Sequence, residues 1–269
     1  MKFLIQKCSK EVRHDFAFTL LEAIRFNNWF KNRHKREKIT YKFIDTEFDD
    51  DKFTKLEFKP IHRKYVPIGS NQFVIAFLQH FYGITPKPLN IPTELLKPEF
   101  LERFVFNGTE KEIAGEKFVK SRDKIKGFTE FVDDNIDVPE GNYQISDVIN
   151  IESEWRAFVY KGRLRGLRNY SGEFTMFPDV ELINRIIATY SPNAPIAYTL
   201  DVGINQDAPI EVDIQEYKGE NNTFIIEAHD FFSCGLYGFA DLSILPQMFH
   251  GWFWQYIQIQ MVENRRDIL

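Results

Sequence analysis

The sequence predicts an α+β fold in two lobes, the second built mainly on antiparallel sheet. Three observations predict it. An apolar run at residues 2–6 is followed by helical periodicity from His14 to Phe30, with Ala17, Leu20, Leu21 and Ile24 on one face. Prolines at 86, 88, 92 and 98 give residues 84–98 a linker composition, which puts a boundary near residue 100 and the lobes at 1–100 and 101–269. Beyond that boundary, short alternating segments separated by turn residues outnumber helical ones.

The first lobe reads as a buried strand at 2–6 and then the helix from His14. The basic run Lys31 to Lys38 reads as a solvated helix end and turn. Asp45 to Asp51 is acidic but lacks the glycine and final glutamate of an EF-hand loop, so it reads as a solvated loop. Ser70 is placed to cap a second helix, in which Phe73, Phe77 and Phe81 recur every four residues and Gly83 closes the end. An aromatic stripe at that spacing is core material.

In the second lobe, Lys117 to Lys120 and Tyr143 to Ile149 read as strands. Arg156–Tyr160, a Lys161-Gly162 turn and Arg163–Asn169 read as a hairpin. On it, Arg163 and Arg165 share a solvated face. Glu181 to Tyr190 has the apolar spacing of a helix. Ala197–Ile204 and Thr223–Ala228 read as strands that each carry one carboxylate among apolar residues. A long helix is expected from Leu242 to Glu263. Its aromatic residues Phe249, Trp252, Phe253, Trp254 and Tyr256 read as core or as a dimer helix.

Composition bounds the function. The chain has 269 residues, 43% of them apolar and 27% charged, which is ordinary for a globular protein. A net charge of −5 argues against bulk nucleic-acid binding. Cys8 and Cys234 form neither a CxxC nor a zinc spacing. Only Phe3-Leu4-Ile5 precedes Gln6 and Lys7, so a secretory h-region is not expected. The uncharged stretches 65–86 and 242–262 hold too many polar residues to cross hydrocarbon cheaply. A cytoplasmic protein without membrane contact is expected. The Lys-, Ile-, Asn- and Phe-rich texture suggests a bacterial or phage source.

Several chemistries lack their residues. There is no P-loop, dinucleotide fingerprint, GxSxG elbow or HEXXH, and the six histidines have no ligand spacing. What remains is a set of charged residues in or beside apolar strands. Lys120 ends Phe118-Val119-Lys120, where desolvation is costly unless an anion meets it. Glu152, Glu154 and Arg156 share a face by period-two spacing, and Arg156 can offer a planar fork to phosphate or carboxylate. Asp201 and Glu227 sit in apolar strands and need a cation. Oxygen ligands suit Mg²⁺, which also takes substrate phosphates. Lysine, arginine and a carboxylate-held cation together can grip a nucleoside triphosphate without a P-loop.

The phrases KFVK (117–120), QISDVINIESEWRAFVYKGRLRG (144–166), AYTLDVG (197–203) and FIIEAHDFFSCGLYGF (224–239) resemble the ATP-grasp fold. The resemblance is strongest to its small peptide-ligase-like clade of bacteria and phages, R2K. VPIGSNQFV at 66–74 resembles the lobe that precedes the grasp domain there. The resemblance implies ATP and Mg²⁺ as cofactors and a role for each residue. Lys120 would hold the α/β-phosphates. Gln144, Ser146, Asp147, Val148 and Ile149 would form the adenine hinge, and Glu154 would lie near the sugar. Arg156 would face the γ-phosphate or the acceptor carboxylate. Asp201 and Glu227 would hold Mg²⁺. Where the family has Glu-x-Asn, this chain has Glu227-Ala228-His229 followed by Asp230, so His229 or Asp230 would complete the metal shell. Thr199 stands where many ligases have an arginine, and Arg168 or Arg165 would replace it. The loop after Lys120 holds only Gly127 where the family is often glycine-rich.

The activity implied is a carboxylate–amine ligase acting through an acylphosphate. Its partners would be small-molecule or peptide carboxylates and amines, with a homodimer as a candidate assembly. No side-chain nucleophile is needed, and Cys234 is expected to have no chemical role. A phosphotransferase on the same fold, or a non-catalytic nucleotide-binding or interaction protein, stays open beside it. Substrate residues are sought in the first lobe and loops, with Arg63 and Arg103 as candidates for a substrate carboxylate.

Overall fold

A computed structural model describes residues 1–33, 37–49, 52–205 and 223–266. The chain forms two compact units. The first is Met1–Thr85 with Pro195–Ala197 and Phe231–Leu269, and the second is Pro86–Ala194 with Tyr198–Asp230. These units divide the chain differently from a single cut near residue 100. The change comes at Thr85–Pro86, and the C-terminal segment rejoins the first unit.

The first unit opens with β1 (Lys2–Cys8), α1 (Asp15–Arg33), β2 (Thr40–Asp49), β3 (Lys52–Lys55), β4 (Val66–Ile68) and α2 (Asn71–Tyr82). The sheet order is β3-β2-β1-β4, with β1 parallel to both β2 and β4. Phe3, Leu4, Ile5 and Gln6 are all buried, the continuous run of a strand covered on both faces. The acidic segment expected as a loop is strand as far as Asp49, with residues 50 and 51 outside the described residues. Pairing overrides its charge: Lys7 faces Asp45 in register, while Asp45 and Glu47 project to solvent on either side of buried Thr46. The basic run 31–38 falls partly outside the described residues.

Helix α2 starts and stops as its sequence dictates. The Ser70 hydroxyl accepts the Phe73 amide at 3.2 Å, and Gly83 takes a left-handed φ of 67°. Ser70→Ala should therefore cost about 1 kcal/mol of unfolding free energy, read as a lower urea midpoint with an unchanged slope.

The second unit contains α3 (Pro98–Leu101), β5 (Val105–Thr109), β6 (Lys117–Ser121), β7 (Thr129–Val132), β8 (Asn142–Ser146), β9 (Ser153–Tyr160), β10 (Arg163–Gly172), α4 (Val180–Tyr190), β11 (Ala197–Ile204) and β12 (Thr223–Asp230). They form two four-stranded sheets, β5-β8-β6-β7 and β10-β9-β11-β12. The expected hairpin is present: Lys161 and Gly162 both have positive φ, 53° and 65°, the paired left-handed geometry a two-residue turn needs. Arg163 and Arg165 are exposed on it, as expected. The proline-rich segment is packed rather than free. Ile91 and Leu95 are buried in this unit's core, and the Asn90 carbonyl accepts the Ala228 amide at 2.7 Å.

Strand periodicity sorts the second sheet's faces. Trp155, Ala157 and Val159 of β9 and Tyr198, Leu200 and Val202 of β11 cluster with Leu182, Ile183, Ile186, Ile187 and Tyr190 of α4. Burying each large side chain there contributes on the order of 1.5–3 kcal/mol. The other face is thereby left to Glu154, Arg156, Thr199 and Asp201. The first sheet does the same: Val119, Val132, Tyr143 and Ile145 form its apolar cluster, and Phe118, Lys120, Gln144 and Ser146 face the other way.

The last helix, α5 (Leu245–Arg266), belongs to the first unit. Phe249 packs on Phe16, and Phe253 packs on Phe77 and Tyr82. Phe249, Trp252 and Phe253 are buried, so this aromatic face is core. Among the described residues no helix is long and apolar enough to cross a membrane.

Candidate active site

The two polar sheet faces of the second unit enclose a cavity of about 280 Å³. One wall carries Lys120, Phe118, Gln144 and Ser146, and the floor follows the connection Asp147, Val148, Ile149 and Ile151. Glu154, Tyr170 and Glu227 come from the other sheet. This volume is near the lower end for small-molecule sites, and the lining is mostly apolar with a few converging polar groups.

Lys120 reaches across the cavity to an oxygen of Glu227, Oε2, in an ion pair. Burial pushes the Lys120 ammonium down to about 8, opposed by the charge of Asp201. Beside this pair, Asp201 is 2% exposed and held by a planar fork: Arg156 donates Nε–H to Oδ1 and Nη2–H to Oδ2, both at 2.7 Å. Burial alone would push the Asp201 carboxyl up, but the Arg156 bonds, with a further contribution from the neighbouring His229, hold it at about 2.

Asp201 and Glu227 sit directly opposite one another in the β11–β12 ladder, where like charges repel. A bulge follows at once, since Val202 pairs with Ile225. That extra residue lets Glu227 keep the polar face while Ile225 stays in the core. His229 shares this face, opposite Thr199. Its Nε2 lies 3.0 Å from Glu227 Oε1 and 3.4 Å from Asp201 Oδ2. That atom is buried and makes an aligned hydrogen bond to neither oxygen, and among the described residues the buried hydroxyl of Thr199 also has no hydrogen-bond partner. One donor atom each from Asp201, Glu227 and His229 lies within 4.8 Å of the others. Two carboxylate oxygens and an imidazole nitrogen that converge in this way are donors that fit a divalent cation.

The structure places the remaining expected residues unevenly. Gln144 lines the cavity, but its side chain is spent on the core. Its Oε1 accepts the Ile91 amide and its Nε2 donates to the Ile91 carbonyl, both at 2.9 Å. Strand β8 ends at Ser146, three residues earlier than expected. The Asp147 amide donates to the Phe104 carbonyl at 3.0 Å, and the Asp147 carboxylate takes the Phe104 amide and Lys117. Val148 and Ile149 follow in irregular backbone along the cavity. Arg168 stands opposite Arg156 in register but is exposed, and its Nη1 donates to the Leu167 carbonyl at 2.8 Å. Asp230 lies outside the cluster. As the next residue after His229 it points to the other face, where its charge adds to burial in raising the Tyr190 phenol pKa.

Two residues enter that the sequence reading placed elsewhere or missed. Arg103, expected near a substrate carboxylate, lines this cavity and donates Nη1–H to the carbonyls of Leu101 and Ile225, both at 3.0 Å. Tyr170 was not foreseen; it is the unpaired residue of a β10 bulge and follows Arg168, the register partner of Arg156, by two positions. Its hydroxyl donates to Glu154 Oε2 at 2.7 Å, lies 3.3 Å from Asp201 Oδ2, and its ring lies beneath the Arg156 guanidinium. Burial, together with the negative charge of Asp201, raises this phenol far above its ordinary range.

A lysine-bearing sheet set over a carboxylate-bearing sheet, with a cavity between them, defines the class. The chain belongs to the ATP-grasp domain, R2K clade family 2, whose model matches residues 100–245. The fold is similar to that of D-alanine–D-alanine ligase from Bacillus anthracis complexed with ATP, at 11% identity and a TM-score of 0.46, covering 97% of this chain and 99% of that one. It is also similar to a RimK domain ATP-grasp protein from Sphaerobacter thermophilus, at 13% identity and a TM-score of 0.46, covering 96% and 100%. Macrocyclase MdnC from Microcystis aeruginosa, bound with the precursor peptide MdnA, is similar at 11% identity and a TM-score of 0.44, covering 93% and 100%. No curated protein matches the chain by sequence.

Proposed function

We propose that the chain is an ATP-dependent ligase that joins a carboxylate to an amine through an acylphosphate. The observation that carries the reading is one linked cluster of charges at the cavity: Lys120 and Glu227 line it and pair with each other, and Asp201, held by Arg156, and His229 stand directly beside them. A carboxylate and a triphosphate repel each other, so the task of such a site is electrostatic. A carboxylate oxygen attacks the γ-phosphorus, the bond from that phosphorus to the β,γ-bridging oxygen breaks, and ADP leaves. The amine then attacks the acyl carbon, phosphate leaves with its oxygen, and the amine's extra proton passes to solvent.

The purine lies against Val148 and Ile149, and Glu154 meets the ribose, steadied by Tyr170. Lys120 exchanges its bond to Glu227 for the α/β-phosphates. Arg156, expected at the γ-phosphate, spends two N–H groups on Asp201, and its first task is to fix that carboxylate. Asp201, Glu227 and His229 are the residues that would hold a divalent cation, Mg²⁺ in the sequence reading, which would supply neutralisation of phosphate charge. With every charge supplied by these groups, no side-chain nucleophile takes part, and the phenol of Tyr170 stays protonated throughout.

The test joins binding to product. ATP with a divalent cation at about 100 times its Kd should raise unfolding free energy by about 2.7 kcal/mol. Pooled carboxylates and amines should then elicit ADP release, with a product whose mass equals acid plus amine minus water. A stable phosphorylated product without an amide would replace ligation by phosphotransfer. Neither stabilisation nor ADP release would leave a non-catalytic protein.

A further inference from the structure

We propose that the cation site selects a transition ion that accepts nitrogen, with Mn²⁺ preferred over Mg²⁺, and that His229 is the ligand responsible. The inference rests on the nucleotide-binding reading above and goes beyond it by naming the class of ion.

The geometry is that of three donors, one each from Asp201, Glu227 and His229, within 4.8 Å of one another, with the nitrogen close to both oxygens. In an octahedral shell with bonds of about 2.1–2.2 Å, neighbouring donors lie about 3.0 Å apart. His229 Nε2 is 3.0 Å from Glu227 Oε1 and 3.4 Å from Asp201 Oδ2. Each neighbouring donor in such a shell also lies about 45° off the axis from a given donor to the ion. A nitrogen aimed at the centre therefore misses both oxygens as hydrogen-bond partners. That is what is seen: Nε2 is buried at hydrogen-bonding distance from a carboxylate yet aligned with none. The opposing oxygens are already divided between tasks. Glu227 gives Oε2 to Lys120 and turns Oε1 toward His229, while Asp201 is locked by Arg156.

The donor chemistry then decides the ion. Mg²⁺ is hard, prefers oxygen and gives up water reluctantly, and an imidazole contributes little to its affinity. Mn²⁺ shares its preference for carboxylate and phosphate oxygen, but as a transition ion it binds nitrogen better than Mg²⁺ does, so replacing one oxygen donor by His229 shifts the balance between these two toward it, and Fe²⁺, Ni²⁺ and Zn²⁺ suit the imidazole better still. Thr199, directly across the ladder with an unpartnered buried hydroxyl, is placed to bond a water on the ion rather than the ion itself.

The experiment uses the full chain with a non-hydrolysable ATP analogue and Mn²⁺ as the probe. Pulsed electron paramagnetic resonance should show ¹⁴N coupling from one imidazole on the bound Mn²⁺. Competition should show Mn²⁺ held about tenfold or more tightly than Mg²⁺. In His229→Asn both the nitrogen coupling and the excess preference should vanish, while the analogue still binds with either ion. His229→Gln serves in the same way if the asparagine variant misfolds, and the wild-type spectrum needs no variant. Mn²⁺ bound with the analogue but without ¹⁴N coupling overturns the inference and leaves the nucleotide site standing. An unchanged preference in the asparagine variant overturns it too. Failure of the analogue to bind with any divalent ion overturns both readings together.

Discussion

Lys120→Ala should lower affinity for an ATP analogue about 100-fold while leaving the sheet intact. Two properties make this residue decisive. Its ammonium is desolvated enough to be pushed down to about 8, so it sits where an anion is needed. Its position is fixed by backbone rather than by side-chain packing, since residue 120 pairs with Gln144 on one side and Thr129 on the other. Truncation therefore removes the charge without removing the strand. A charge-assisted bond contributes about 1.5–3 kcal/mol, and 2.7 kcal/mol corresponds to 100-fold. The variant also strips Glu227 of its cation, which adds like-charge repulsion against Asp201 opposite. Lys120→Met keeps the apolar stem and loses only the charge, so comparing it with Lys120→Ala separates the charge from the packing of the stem. Titration calorimetry gives the affinity and circular dichroism the fold. Unchanged affinity in both variants would remove Lys120 from the nucleotide site.

Much of this site was legible in the sequence because its information is local. Period-two spacing put Glu154 and Arg156 on one face, and an apolar strand flagged Lys120, Asp201 and Glu227 through the cost of burying charge. The hairpin turn and the caps of α2 were written in Lys161-Gly162, Ser70 and Gly83 for equally local reasons. What was not legible depends on pairing. The bulge after Asp201 and the one at Tyr170 are set by register between strands, and a one-residue offset moves a side chain to the other face. Tyr170 was missed although it lies two residues after Arg168, and Asp230 falls outside the cluster by plain alternation from His229. The Gln144 side chain satisfies the backbone of Ile91, some fifty positions away in the chain, which no local pattern shows. Strand β2 ran through an acidic stretch because its partner strand outweighed its composition.

Arg156→Met should destabilise the second unit by about 3–5 kcal/mol, the usual result of leaving one member of a buried ion pair without its partner. The reason lies in how Asp201 is housed. It is 2% exposed, both of its oxygens receive a guanidinium N–H at 2.7 Å, and Glu227 stands opposite. Without the fork, a buried carboxylate faces a second carboxylate across the ladder. Arg156→Lys should recover only part of the loss, because an ammonium cannot match the two-point geometry. The informative variant is the double one. Arg156→Met with Asp201→Leu replaces the pair by apolar groups of similar size beside an already apolar strand, and stability should return to within about 1 kcal/mol of wild type or exceed it. Nucleotide-dependent turnover should nevertheless be absent, since one cation ligand is gone. Urea unfolding of the four proteins, read beside ADP release, separates the two roles. If the double variant is as unstable as Arg156→Met, the pair is held by packing rather than by charge. If it retains turnover, Asp201 is not a ligand. The outcome expected here, a refolded protein without activity, would mean that this buried ion pair is maintained for chemistry and that the fold could do without it.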